Sequence, residues 1–107
     1  MPIPDASILI PSYNGGAYLL AVLEGLRPLG VPVLVVDDGS TDGSGDAARG
    51  PGVKVLTQPR RSGKGAAMRR GIAELLGKAG PEWILFMDGD GQHLPAEVPR
   101  FLDAMAP

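Results

Sequence analysis

Four short apolar runs, each followed by a polar turn and then a stretch of helical periodicity, constrain this chain more than any other feature. The runs are Ser7-Ile8-Leu9-Ile10-Pro11, Val31-Pro32-Val33-Leu34-Val35-Val36, Val53-Lys54-Val55-Leu56 and Trp83-Ile84-Leu85-Phe86-Met87. Their length and their Ile and Val content suit strands. The first, second and fourth are nearly continuous, which is the pattern of strands covered on both faces of a parallel sheet. The third alternates apolar with polar residues, which makes it the candidate for a sheet edge.

Between the runs the spacing changes to that of helices. Residues 17–26 place Leu19, Leu20, Val22, Leu23 and Leu26 on one apolar stripe, leave Glu24 and Arg27 to solvent, and are stopped by Pro28. Residues 41–49 have room for only a short helix of small residues. Residues 64–78 carry Ala67, Met68, Ile72, Leu75 and Leu76 at helical spacing and end at Gly77 and Gly80. Gly71 inside that stretch costs about 1 kcal/mol relative to Ala. Residues 95–105 open with Pro95, where a missing N–H does no harm. Strand and helix thus alternate four times, which predicts an α/β fold of four β-α units on a mostly parallel sheet with right-handed crossovers.

Composition narrows the function classes. At 107 residues the chain has the length of one domain, and its hydrophobic fraction of 44% is enough for a core. The 16 glycines and 11 prolines fall mostly between the apolar runs, as punctuation. A net charge of -2 makes no electrostatic case for nucleic acid or an acidic membrane surface. Without cysteine there are no disulfides, thiolate metal sites or cysteine nucleophile, which fits a reducing compartment. No apolar run approaches the length of a membrane span, and the N-terminus lacks the basic region of a secretory signal. The reading is a soluble, cytoplasmic domain.

The polar clusters all follow strands. The first run ends in Pro11-Ser12-Tyr13-Asn14-Gly15-Gly16 and the second in Asp37-Asp38-Gly39-Ser40-Thr41-Asp42-Gly43. The third leads to Gln58-Pro59-Arg60-Arg61-Ser62-Gly63-Lys64-Gly65, and the fourth to Asp88-Gly89-Asp90-Gly91-Gln92-His93. In an open parallel sheet the carboxyl ends of the strands line one crevice, the usual ligand site. Extended backbone sends positions i and i+2 to one side, so Asp88 and Asp90 can converge on a cation, and Gln92 adds an amide oxygen. Such hard oxygen donors suit Mg²⁺ or Mn²⁺. Gly89 and Gly91 remove side chains that would hold a phosphate or sugar off the backbone. The set suits a metal-bound nucleoside diphosphate, with Asp38 toward base or ribose, Tyr13 beside the ring and cations near the diphosphate. The 63–65 segment opens a helix, whose free amides and dipole favour an anion.

Each cluster also has a plainer structural reading. Residues 38–43 read as a turn with a helix cap, Tyr13 as a packing residue, and Arg60, Arg61 and Lys64 as a solvated patch. His93, the lone histidine, reads as a hydrogen-bonding turn residue. Turn chemistry does not account for four such clusters at one edge. Known motifs fail on spacing. A phosphate-loop reading of Ser62-Gly63-Lys64-Gly65 needs a glycine where Gln58 stands and a Ser or Thr where Gly65 stands. A calcium loop starting at Asp38 needs Glu where Arg49 stands. No Gly-x-Gly-x-x-Gly follows the first strand, and no serine sits in a nucleophile elbow.

Taken together, these residues resemble the family 2, GT-A-fold glycosyltransferases, most closely the dolichyl- or polyprenyl-phosphate mannosyl- and glucosyltransferases. Ile8-Leu9-Ile10-Pro11-Ser12-Tyr13-Asn14 is similar to that family's first strand and turn, and residues 35–42 to its second. Residues 61–67 are similar to its basic loop, and residues 86–93 to its metal motif. The resemblance implies a three-layer αβα, Rossmann-like sheet and a nucleotide-diphospho-sugar donor carrying UDP or GDP. It implies that Pro11, Tyr13, Asn14 and Asp38 contact the nucleotide, with Asp38 accepting from the base. Arg61, Lys64, Asp88 and Gly89 would also bind the nucleotide, and Asp88, Asp90 and Gln92 would hold the divalent cation. The implied reaction is inverting transfer of a sugar to a lipid phosphate or a saccharide hydroxyl. Gly15 stands where the close branch often has Glu. The resemblance places the acceptor half and any general base beyond residue 107, and the full-length protein at the cytoplasmic face of the membrane. Two other readings are carried: a sugar nucleotidyltransferase-like domain, weakened because residues 12–16 contain no Lys or Arg, and an inactive folded fragment prone to self-association.

Overall fold

Each apolar run carries a strand, and each periodic stretch a helix, in a computed structural model that describes residues 5–77, 80–87 and 98–105; Lys78 and residues 95–97, with the expected helix start at Pro95, lie outside these. The order is β1 (Ala6–Ser12), α1 (Gly16–Leu26), β2 (Val33–Asp37), α2 (Ser44–Ala47), β3 (Val53–Thr57), α3 (Lys64–Leu76), β4 (Trp83–Phe86) and α4 (Val98–Met105). The four strands form one all-parallel sheet in the order β3-β2-β1-β4. Ile8 is level with Val33 and Leu85, and Val33 with Val53, so the carboxyl ends of the strands share one edge.

Strand alternation divides the core in two. Ile8, Ile10, Val33 and Val35 face Leu19, Val22, Leu23 and Leu26 of α1 together with Val98 of α4. Leu9, Leu34 and Val36 face the opposite way, onto Ala67 of α3. Helices therefore cover both faces, and the fold is the three-layer αβα, Rossmann-like arrangement that the sequence predicts. The apolar side chains of residues 8–10 and 34–36 are 2% exposed or less, each worth about 1.5–3 kcal/mol of burial. The two inner strands are thus the most deeply buried part of the sheet.

The departures are local and have physical causes. β4 is not covered on both faces: it pairs only with β1 among the described residues, and Trp83 and Phe86 are exposed. β3, at the opposite edge, alternates as expected. Leu20 lies off the buried stripe of α1, at 40% exposure, and Leu76 is also exposed, because the sheet covers only a narrow arc of each helix. Pro28 does not itself end α1. The helix stops at Leu26, and Pro28 sits in a 3₁₀ turn over Arg27–Leu29, closed by Gly30 at φ 68°. Val31 and Pro32 precede β2 rather than belonging to it, although the Pro32 carbonyl accepts the Ile8 amide at 2.9 Å. Gly71 is a packing device rather than a weak point. It is buried where α3 crosses the sheet, and a β-carbon there would fall 2.3 Å from Leu9 Cδ1. No described helix is long and apolar enough to cross a membrane.

Candidate functional site: the crevice at the carboxyl edge

The strand order reverses beside β1. The chain runs outward from β1 to β2 to β3, then returns to place β4 on the other side of β1. At such a switch point the connections leave toward opposite faces, and a crevice opens outside the carboxyl ends. A cavity of about 380 Å³ lies at this edge on the α3 side. Pro11, Tyr13, Asn14, Asp38, Arg61 and Lys64 all line it. These are all the nominated nucleotide-contact residues that fall within the described part of the chain. Asp88, Gly89, Asp90 and Gln92 lie outside the described residues. So does His93. They follow Met87, whose amide donates to the Leu9 carbonyl at 3.0 Å. Among the described residues no three His, Cys, Asp or Glu side chains gather as a metal site.

Alternation gives the neighbouring carboxylates Asp37 and Asp38 different faces and different work. Asp37 shares its face with Val33 and Val35. Its Oδ1 accepts the Ser40 amide at 3.1 Å and closes the turn. Asp38 shares the α3 face with Leu34 and Val36. Its Oδ1 accepts the Ser62 amide at 2.7 Å, and its Oδ2 accepts the Gly63 amide at 2.8 Å. The residue is only 4% exposed. A carboxylate has about four acceptor positions, so two remain after these bonds.

Asn14 lines the cavity but spends its side chain on the neighbouring turn. Its Oδ1 accepts the Thr41 amide at 2.8 Å, and its backbone N–H donates to Ser40 Oγ at 2.8 Å. Asn14 holds a left-handed φ of 49°, a conformation that Asn tolerates better than most residues. Tyr13 carries the Arg61 guanidinium 4.1 Å from its ring centroid, a cation–π contact. α3 begins at Lys64 with Gly63 at its cap; the Gly63 amide is taken by Asp38, and the amides of the first turn of α3 follow beside the crevice.

The structure adds wall residues that the sequence does not single out as contacts. Tyr18 lines the cavity, as does Ser12, whose Oγ is buried with no partner among the described residues. Tyr18 was legible in principle. It lies in the first turn of α1, and helical side chains lean back toward the N-terminus, here over the Asn14–Gly15 turn. Asp42, exposed in the turn after β2, is held below the ordinary carboxylate range by the nearby Ser44 hydroxyl, which itself makes no hydrogen bond among the described residues, and by the Ser44 amide, which donates to Asp42 Oδ1 at 2.9 Å.

An open parallel sheet with its polar residues gathered at a switch-point crevice defines a Rossmann-like α/β ligand-binding domain. The sequence comparisons make this specific: residues 7–107 match the Glycosyl transferase family 2 model, and the chain belongs to that family, whose domain is the GT-A fold. A glycosyltransferase of Haloferax volcanii, AglJ, is 36% identical over 107 residues, covering 98% of this chain and 34% of the relative. The undecaprenyl-phosphate mannosyltransferase of Micrococcus luteus is 41% identical over 105 residues, covering 91% of this chain and 42% of the relative. The polyprenol monophosphomannose synthase of Mycolicibacterium smegmatis is 35% identical over 112 residues, covering 97% and 42%. The chain spans well under half the length of these curated relatives.

Proposed function

We propose that this chain is the donor-binding part of a family 2 glycosyltransferase, taking a nucleotide-diphospho-sugar at the crevice beside β1. The observation that carries this reading is the meeting of Tyr13, Asp38, Arg61 and Lys64 in one cavity, from three separate turns. An aromatic ring, a buried acceptor and two cations match the parts of a nucleoside diphosphate. Tyr13 offers a face to the base and Asp38 an acceptor to a base N–H. Arg61 and Lys64, together with the amides of the first turn of α3, offset diphosphate charge.

The carboxylates that directly follow β4, Asp88 and Asp90, are with Gln92 the proposed ligands of Mg²⁺ or Mn²⁺. Such a cation stabilises charge on a departing nucleoside diphosphate. The proposed reaction is inverting transfer of the sugar to an acceptor. The names of the Micrococcus and Mycolicibacterium relatives make a polyprenyl phosphate the first acceptor class to test, with a saccharide as the second. A lipid acceptor would place the reaction at a membrane surface, and the absence of cysteine suits its cytoplasmic side. Calorimetric titration with UDP- and GDP-sugars in the presence of Mn²⁺ tests the reading. Saturable binding of one of them is the expected result, and no binding of either would refute it.

A further inference from the structure

Three turns surround the crevice, and each is tied to both of the others. The turn after β1 is joined to the turn after β2 through the Asn14 side chain and the Thr41 amide, at 2.8 Å. The turn after β2 is joined to the segment before α3 through the Asp38 carboxylate and the amides of Ser62 and Gly63. That segment returns to the first turn through the Arg61 guanidinium over Tyr13. The second contact is also the tightest. Gly39 has a φ of 77°, and a β-carbon on it would fall 2.6 Å from the Arg61 amide nitrogen and 2.7 Å from the Arg60 carbonyl carbon. Backbone touches backbone there, so the two Asp38 bonds fix the 61–64 segment at short range.

We infer that Asp38 is a positioning residue. Its carboxylate holds the 61–64 segment so that Arg61 and Lys64 stand at the crevice, and part of its contribution to ligand affinity, beside the base contact proposed above, runs through those cations. The link to affinity rests on the nucleotide-sugar reading above, whereas the brace itself does not. One acceptor position on each Asp38 oxygen is filled by a backbone amide. An Asp38→Asn variant would turn an NH₂ toward one of those amides, donor against donor, and release the segment.

The test has two readouts on the ¹⁵N-labelled chain. The first needs no ligand. Amide exchange at Ser62 and Gly63 should accelerate at least about ten-fold in Asp38→Asn, the factor expected from losing a charge-assisted bond, while amides of β1 and β2 are unchanged. Unchanged exchange at both positions would overturn the brace. The second readout is titration with UDP plus Mn²⁺ of wild type, Asp38→Asn, Arg61→Ala and the double variant. Asp38→Asn should bind roughly ten-fold more weakly, and the double variant no more than about two-fold more weakly than Asp38→Asn, because both changes break one coupled unit. Losses that multiply independently would overturn the inference. Ser62→Pro covers the case in which Asp38→Asn does not fold. It deletes one donor and leaves the Asp38 carboxylate intact, so weaker UDP binding supports positioning and full affinity refutes it. Should wild type bind no nucleotide, the donor reading fails, and the exchange rates still decide the brace.

Discussion

Gly71 of α3 rests directly on Leu9 of β1: a β-carbon on the glycine would fall 2.3 Å from Leu9 Cδ1 and 2.9 Å from Leu9 Cδ2. Val36 Cγ2 on the next strand would lie 3.1 Å from that β-carbon, and Leu9 and Val36 are both fully buried. Intrinsic propensity alone would make Gly71→Ala a gain of about 1 kcal/mol. Overpacking at this contact is worth about 1–3 kcal/mol in the other direction. Gly71→Ala should therefore lower the urea midpoint of unfolding. A raised midpoint would mean that α3 shifts freely on the sheet and that the close approach is not required.

Asn14 and Thr41 test the tie between the first two turns. Asn14→Gly keeps the positive φ available and removes only the side-chain acceptor, so the expected loss is about 0.5–1.5 kcal/mol. Asn14→Ala should lose more, since the left-handed conformation adds about 1–2 kcal/mol for a residue with a β-carbon. Denaturation curves of the two variants measure the difference. Equal losses would show that the turn relaxes out of the left-handed conformation.

Tyr13 should act through its ring rather than its hydroxyl. Tyr13→Phe keeps a face for Arg61 and for a base, and its affinity for UDP or GDP plus Mn²⁺ should match wild type within about two-fold. Tyr13→Ala removes that face, and stacking worth about 1–3 kcal/mol predicts a loss of roughly five- to 160-fold. Fluorescence or calorimetric titration separates the two. Equal weakening in both variants would assign the hydroxyl the main role.

Asp42 gives a pH signature with a definite sign. Its carboxyl is held below its ordinary value of 3.8, first by the Ser44 hydroxyl and next by the Ser44 amide. A carboxylate with a depressed pKa contributes stability above the unfolded value and loses it as pH falls through the folded one. The margin of wild type over Asp42→Ala should be present at neutral pH and close in acid, below about pH 4. The effect should be small, because the group is exposed. A margin that grows on acidification would contradict the assignment.

Asp90→Ala and chelation should have the same effect on nucleotide binding and should not add. With Asp90 as a metal ligand, UDP affinity in the presence of Mn²⁺ falls to the value that wild type shows in EDTA, while the thermal midpoint without nucleotide stays close to wild type. Retention of the full Mn²⁺ effect in the variant would remove Asp90 from the proposed metal site.

The fold was largely legible because its signals are local. Continuous apolar runs, helical spacing and the glycine-rich turns between them each act within a few residues, and together they allow little besides a parallel α/β sheet. The turns after the strands could likewise be placed at one edge, since parallel strands put like ends together. The family resemblance was carried by the same short motifs, and the family match bears it out. The exposure of Leu20 and Leu76 was not legible, because spacing says which residues share a stripe but not how wide an arc the sheet covers.

What the sequence determined by itself is which residues stand at the carboxyl edge, because strand length and alternation leave no other place for them. What only the tertiary structure decided is how those residues are used. Asn14 spends its side-chain oxygen on Thr41, Asp38 on the amides of Ser62 and Gly63, and Gly71 gives up its helix penalty to let α3 meet Leu9. The partners in these contacts lie from 24 to 27 residues apart along the chain for the hydrogen bonds, and farther for Gly71 and Leu9. Local propensity carries no information about such distances; only the strand order β3-β2-β1-β4, which draws three separate turns together, creates them.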